Sequence, residues 1–198
     1  MRSSLIDLLD EAIFASAGGE LLDVELALAP EMPSVDEILA MEWAKTAVYS
    51  FEAPLMAGAT LAGAPPFVID SLEEFGREIG VAYQLVDDLL GVFGAEAETG
   101  KTTLGDLREG KRTVLIAHAA TTDAWFSIRP FIGKSDLTEA EADHVRSRLE
   151  SCGARACVEQ LIAEHVARAR LVLERSFVPG DLREVLRPVI ETVVERTR

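Results

Sequence analysis

The residues best suited to chemistry lie in YQLVDDLLGVFGAEAETGKTTLGDLREGKRT, residues 83–113. The segment opens with an amide, Gln84, and two adjacent carboxylates, Asp87 and Asp88, and closes with Lys101, Lys111 and Arg112. On a helix, Gln84, Asp87 and Asp88 are three and four residues apart, so all three reach one face or its shoulder. Paired carboxylates facing a cavity suit a hard divalent cation. Mg²⁺ takes oxygen ligands and bridges carboxylates to phosphate oxygens. The plainer alternative is a solvated acidic patch or a helix cap. Against it, the pair sits deep in the apolar run IGVAYQLVDDLLGVF, where acids need partners.

TGKT suggests a nucleotide-binding loop, which needs four residues between its glycines. Here Gly94 and Gly100 have five between them, and the preceding run reads as helix rather than strand. The nucleotide reading is rejected, although Lys101 among glycines can still meet a phosphate as a mobile point charge. Lys45 and Thr46, in AMEWAKTAVYSF, form a second pair. Lys45 is either a side chain snorkelling at the helix edge or a phosphate contact supported by the Thr46 hydroxyl. His118, His144 and His165 share no metal spacing; His118 is expected to pack between helices and the other two to face solvent.

Helical periodicity dominates the elements that must position these groups, and strand signals are almost absent. The fold class expected is all-α. A first helical stretch covers 3–28, broken or bent near Gly18-Gly19. Ser34 and Glu37 form a capping-box pattern ahead of a helix from about Val35 toward Leu61, adjusted at Pro54. Ser71 is expected to start the next helix, with Phe75, Ile79, Ala82, Val86 and Leu90 as its buried stripe. Residues 94–110 read as loop, and helix resumes from Lys111 to His118. Amphipathic helices follow at 138–151, 154–175 and 181–196, the first capped by Asp136 or Thr138 and the last opened by Gly180-Asp181.

The 198 residues suffice for one domain with a core, and nearly half are apolar. A net charge of −15 argues against nucleic acid, which needs clustered Lys and Arg, but leaves phosphorylated small ligands open. Cys152 and Cys157 imply neither a disulfide scaffold nor a zinc site; as free thiols they suit a reducing cytoplasm, the expected location. No signal-peptide pattern is read at the N-terminus. The most apolar stretch, AVYSFEAPLMAGATLAGAPPFVI, contains Glu52 and three prolines, so no transmembrane segment is expected.

Together these motifs resemble the trans-isoprenyl diphosphate synthases, the polyprenyl synthetase family. The family's second aspartate-rich helix, approximately G-x-x-F-Q-x-x-D-D-x-x-D, stands here as GVAYQLVDDLLG, residues 80–91. Its G-K-x-x-x-x-D-L-x-x-G-K-x-T follows as Gly100-Lys101, Asp106-Leu107 and Gly110-Lys111-Arg112-Thr113. Its K-T matches Lys45-Thr46, and its G-Q-x-x-D matches GGELLD loosely, with Glu20 for the glutamine and Asp23 retained. The resemblance covers essentially the whole chain, taken as a single, partial domain over 1–198.

The resemblance implies an isoprenoid-synthase-type helical bundle around a central cavity. It implies Mg²⁺-dependent condensation of an allylic diphosphate with isopentenyl diphosphate. Asp87 and Asp88 would hold Mg²⁺; Lys45 and Lys101 would bind the allylic diphosphate, with Lys111 among the substrate-binding residues. Thr46 and Gln84 would line the site and steady the carbocation or its leaving group. Two departures stand out. Gly91 occupies the third aspartate's position, and the family's first aspartate-rich motif, D-D-x-x-D, is absent. The chain is therefore expected to be a fragment lacking the N-terminal helices, and to form a homodimer or join a chain supplying the missing half. The competing readings are a non-catalytic or partner-dependent subunit of such a synthase, and a decayed domain without activity.

Overall fold

The computed structural model describes residues 2–94 and 103–196. Among them every regular element is helical. Helix α1 is Arg2–Leu28, α2 is Val35–Glu42, and a π-helix, Trp43–Glu52, runs without interruption into α3, Ala53–Leu61. Helix α4 is Pro66–Phe93, α5 is Gly105–Glu109 and α6 is Val114–Ala120. A short helix α7, Trp125–Ile128, leads into a 3₁₀ turn at Arg129–Phe131, and α8, Glu139–Ser151, α9, Ala154–Leu173, and α10, Gly180–Glu195, complete the chain.

Local signals set most boundaries. Ser34 Oγ accepts the Glu37 N–H at 3.3 Å while Glu37 Oε2 accepts the Ser34 N–H at 2.8 Å, closing the expected capping box. Thr138, rather than Asp136, caps α8 by the same reciprocal pair with Glu141. Four expectations are corrected. Helix α1 is unbroken at Gly18-Gly19. Helix α4 starts at Pro66 rather than Ser71, because a proline in the first turn costs no hydrogen bond. Ser71 lies inside and donates its hydroxyl to Phe67 O at 2.8 Å. Part of the expected loop over 94–110 is the one-turn helix α5, closed by Gly110 at φ +70°, and the next helix begins at Val114 rather than Lys111.

The chain divides into two compact units: Met1–Asp23, Ala40–Gln84 and Ile162–Arg198 in the first, Val24–Leu39 and Leu85–Leu161 in the second. Phe75, Ile79, Val166, Val172 and Ile190 are buried in the first. In the second, Leu85, Val86, Leu107, Leu115, Ile128 and Leu149 are buried. Of the predicted α4 stripe, Phe75, Ile79, Ala82 and Val86 are buried and Leu90 is half-buried. Arg112 Nη2 donates to Ala29 O at 2.6 Å, satisfying a carbonyl beyond the end of α1. Arg146 ties α8 to Val92 O at 2.7 Å and Thr103 Oγ1 at 2.8 Å. Neither Cys152 nor Cys157 is in a disulfide, and both are half-buried. No described helix is long and apolar enough to cross a membrane.

Candidate diphosphate and metal site

In the first unit, the π-helix carries Lys45 and Thr46. Lys45 Nζ donates to Asp23 Oδ2 at 2.6 Å and pairs with Glu20 Oε2 at 3.0 Å, both on α1. Burial alone would lower the pKa of this ammonium, but the two carboxylates outweigh it and hold the group above the ordinary lysine value. Lys45 is thus ion-paired to α1. Thr46 Oγ1 donates to Gln84 Oε1 at 3.0 Å on α4. Glycines allow these helices to approach closely. A Cβ on Gly19 would lie 2.3 Å from Lys45 N, and one on Gly80 would lie 2.5 Å from Ala47 Cβ.

In the second unit, Asp88 is 3% exposed, and Lys111 Nζ donates to its Oδ1 at 2.9 Å. The same ammonium lies 3.7 Å from Asp106 Oδ2. Burial pushes the Asp106 carboxyl up; Lys111 pulls it down, and Asp88, Glu109 and Asp87 push it up again. Asp87 is half-buried. Gly91 has a structural reason: a Cβ there would stand 2.3 Å from Asp106 Oδ2, so the Asp106 carboxylate fills the space a side chain would need. Lys101 lies outside the described residues.

The predicted residues thus pair off as Thr46 with Gln84 and Asp88 with Lys111, while Lys45 turns to α1. Sequence reasoning did not single out Asp106 as a site residue, although it stood inside the quoted D-L motif. Each histidine has its own neighbours. His118 Nε2 lies 3.4 Å from Cys152 O, and His144 is exposed against Phe131. His165 departs from expectation: it is half-buried, with Nδ1 2.7 Å from Glu78 Oε2, because Glu78 on α4 also takes Arg168 and needs cationic or donor partners.

Asp87 and Asp88 offer oxygen donors of the kind Mg²⁺ prefers. Among the described residues no group of three or more His, Cys, Asp or Glu could hold a metal ion by itself. In the first unit, an apolar groove of about 750 Å³ runs between α1 and the π-helix–α3 rod, lined by Leu5, Leu9, Ala12, Tyr49, Ala53 and Leu61 among others.

The family model described as polyprenyl synthetase matches residues 1–148. The chain belongs to the polyprenyl synthetase family. A (2E,6E)-farnesyl diphosphate synthase from Mycobacterium bovis is 33% identical over 171 residues, covering 82% of this chain and 47% of that protein. A geranylfarnesyl diphosphate synthase from Aeropyrum pernix is 32% identical over 193 residues, 96% of this chain and 59% of that protein. The structure of a Corynebacterium glutamicum geranylgeranyl pyrophosphate synthase, complexed with isoprenyl diphosphate and magnesium, superposes with a TM-score of 0.90 at 35% identity. It covers 98% of this chain and 56% of the other. The chain thus spans about half the length of the curated relatives it matches. The all-α isoprenoid-synthase fold expected from the motifs is the fold observed.

Proposed function

We propose that this polyprenyl synthetase chain is part of a Mg²⁺-dependent prenyltransferase that condenses an allylic diphosphate with isopentenyl diphosphate. The observation that carries the reading is Asp88, a carboxylate buried in the apolar run of α4 and held by Lys111, one residue from Asp87 in the family's motif. Asp87 and Asp88 would hold Mg²⁺, which when bound would neutralise charge on a leaving diphosphate. Lys45, Lys101 and Lys111 bind diphosphate oxygens, stabilising the charge that develops as the allylic C–O bond breaks. The Thr46 hydroxyl and the Gln84 amide line the site and orient the reacting end. The α1 groove takes the hydrocarbon: on α1, Glu20, Ser16, Ala12 and Leu9 follow at helical spacing from the Lys45 contact, the last three lining the groove. An apolar, water-poor wall there protects a carbocation.

The alternative, a partner-dependent subunit, draws on a separate observation. Within the first unit, Phe14, Ala17 and Leu21 are exposed on α1 at three- and four-residue spacing, with Phe14 83% exposed. Such a seam suits a second helix, from another copy or from a chain supplying the rest of the domain. Incorporation of labelled isopentenyl diphosphate, with Mg²⁺ and C5 to C20 allylic diphosphates, tests the enzyme reading. Product formation supports a prenyltransferase; no product from folded protein, alone or with a complementing chain, refutes it.

A further inference from the structure

Ten consecutive residues in π winding are unusual, since π geometry mostly occurs as single turns inside α-helices, frequently at functional sites. The C-terminal bond confirms the winding: Ala53 N–H reaches Val48 O, five residues back. One side-chain bond depends on it. Trp43 Nε1, at the start of the segment, donates to Glu52 Oε1, at its end, at 2.6 Å. In an α-helix, nine residues make about two and a half turns, placing these two positions on opposite faces. With hydrogen bonds closing on the fifth residue, nine residues make roughly two turns and share a face.

The bond is enclosed by helix α4. Arg77 Nε donates to the same Glu52 oxygen at 3.2 Å, and its guanidinium carbon lies 4.9 Å from the centre of the Trp43 ring. Glu52 is 5% exposed. Gly76 brings α4 onto this end of the π-helix, since a Cβ there would lie 2.8 Å from Glu52 N and Cα. Lys45 and Thr46 lie in the first turn of the clamped segment. Within it adjacent residues serve different helices, Lys45 reaching α1 and Thr46 reaching Gln84 on α4.

The geometry points to Glu52 and Trp43 as positioning residues: their clamp, closed by Arg77, holds residues 43–52 in π winding and thereby aims Lys45 and Thr46. This rests on the reading of Lys45 and Thr46 as diphosphate-site residues, and the test separates the two. Glu52→Ala removes the acceptor, Glu52→Gln keeps one, and Trp43→Phe removes the donor while keeping an aromatic ring under Arg77. Each full-length variant is titrated with farnesyl thiodiphosphate and Mg²⁺ by calorimetry, and its backbone winding is read from a crystal structure.

The expected result is α winding over 43–52 in Glu52→Ala and Trp43→Phe, with probe affinity weakened about tenfold through misplacement of the phosphate contacts. Glu52→Gln restores both. Retained π winding in Trp43→Phe, the variant that keeps an aromatic ring if Glu52→Ala fails to fold, overturns the clamp. So does wild-type affinity in a variant that has lost the winding. If the wild-type chain binds no probe, the functional reading fails, and the winding of the variants still decides the clamp.

Discussion

Gly18 and Gly19 are neighbours in sequence with opposite structural situations, and alanine substitution should separate them. Gly18 is exposed, and a Cβ there meets nothing within 4 Å. Gly18→Ala should gain the helix-propensity difference, about 1 kcal/mol. For a chain of this size that raises Tm by about 2–4 °C. Gly19→Ala would gain the same propensity, but its Cβ would sit 2.3 Å from Lys45 N and 2.7 Å from both Ala44 C and Lys45 Cα. These are backbone atoms, which cannot rotate aside, so α1 or the π-helix must move. Overpacking of this kind costs about 1–3 kcal/mol. The two variants should therefore differ by about 1–3 kcal/mol, with Gly19→Ala at or below wild type. Urea denaturation measures the difference, and a constant m-value assigns it to stability. Equal stabilisation by both substitutions would refute the close approach of α1 to the Lys45 backbone, and with it the placement of Glu20 and Asp23 on that lysine.

Glu20→Gln introduces the amide of the family motif and removes one of the two carboxylates on Lys45 that, under the proposed function, compete with phosphate. Because Glu20 is largely exposed, the pair is worth no more than about 1 kcal/mol, so pyrophosphate with Mg²⁺ should bind about two- to fivefold more tightly; unchanged or weaker binding by calorimetry would remove Lys45 from the phosphate site. Gly91→Ala should gain less than the roughly 1 kcal/mol expected of a helix interior, because Asp106 must give way, and the full gain should return in an Asp106→Ala background. Equal gains in both backgrounds would mean that the carboxylate does not fill that space. Leu21→Glu should reduce association through the exposed α1 seam, read by light scattering at micromolar concentration; a wild-type chain that is monomeric, alone and with a complementing chain, would sink the seam as an interface.

Much of the fold was legible because its signals are local. Ser34-Glu37 and Thr138-Glu141 carry their capping chemistry within four residues, and the stripe from Phe75 to Val86 announces one buried face of α4. The candidate residues were legible too, since Gln84, Asp87 and Asp88 keep helical spacing and Lys45-Thr46 interrupts an apolar run. Propensity misread Gly18-Gly19 as a break, because a glycine that permits close packing looks the same in sequence as one that ends a helix. The same limit hid the one-turn helix after Leu104 and the burial of His165, which depends on a carboxylate 87 residues away.

The sequence by itself determined which side chains are available and which share a helix face, because helix periodicity operates over a few residues. Only tertiary structure decided how they are partnered. Lys111 meets Asp88 across 23 residues, Lys45 meets Asp23 across 22, and Asp106 takes the space that Gly91 leaves. The π winding belongs to the same class: Trp43 and Glu52 bond only when the turn is widened, and α4 must bring Gly76 and Arg77 against that turn to keep it so.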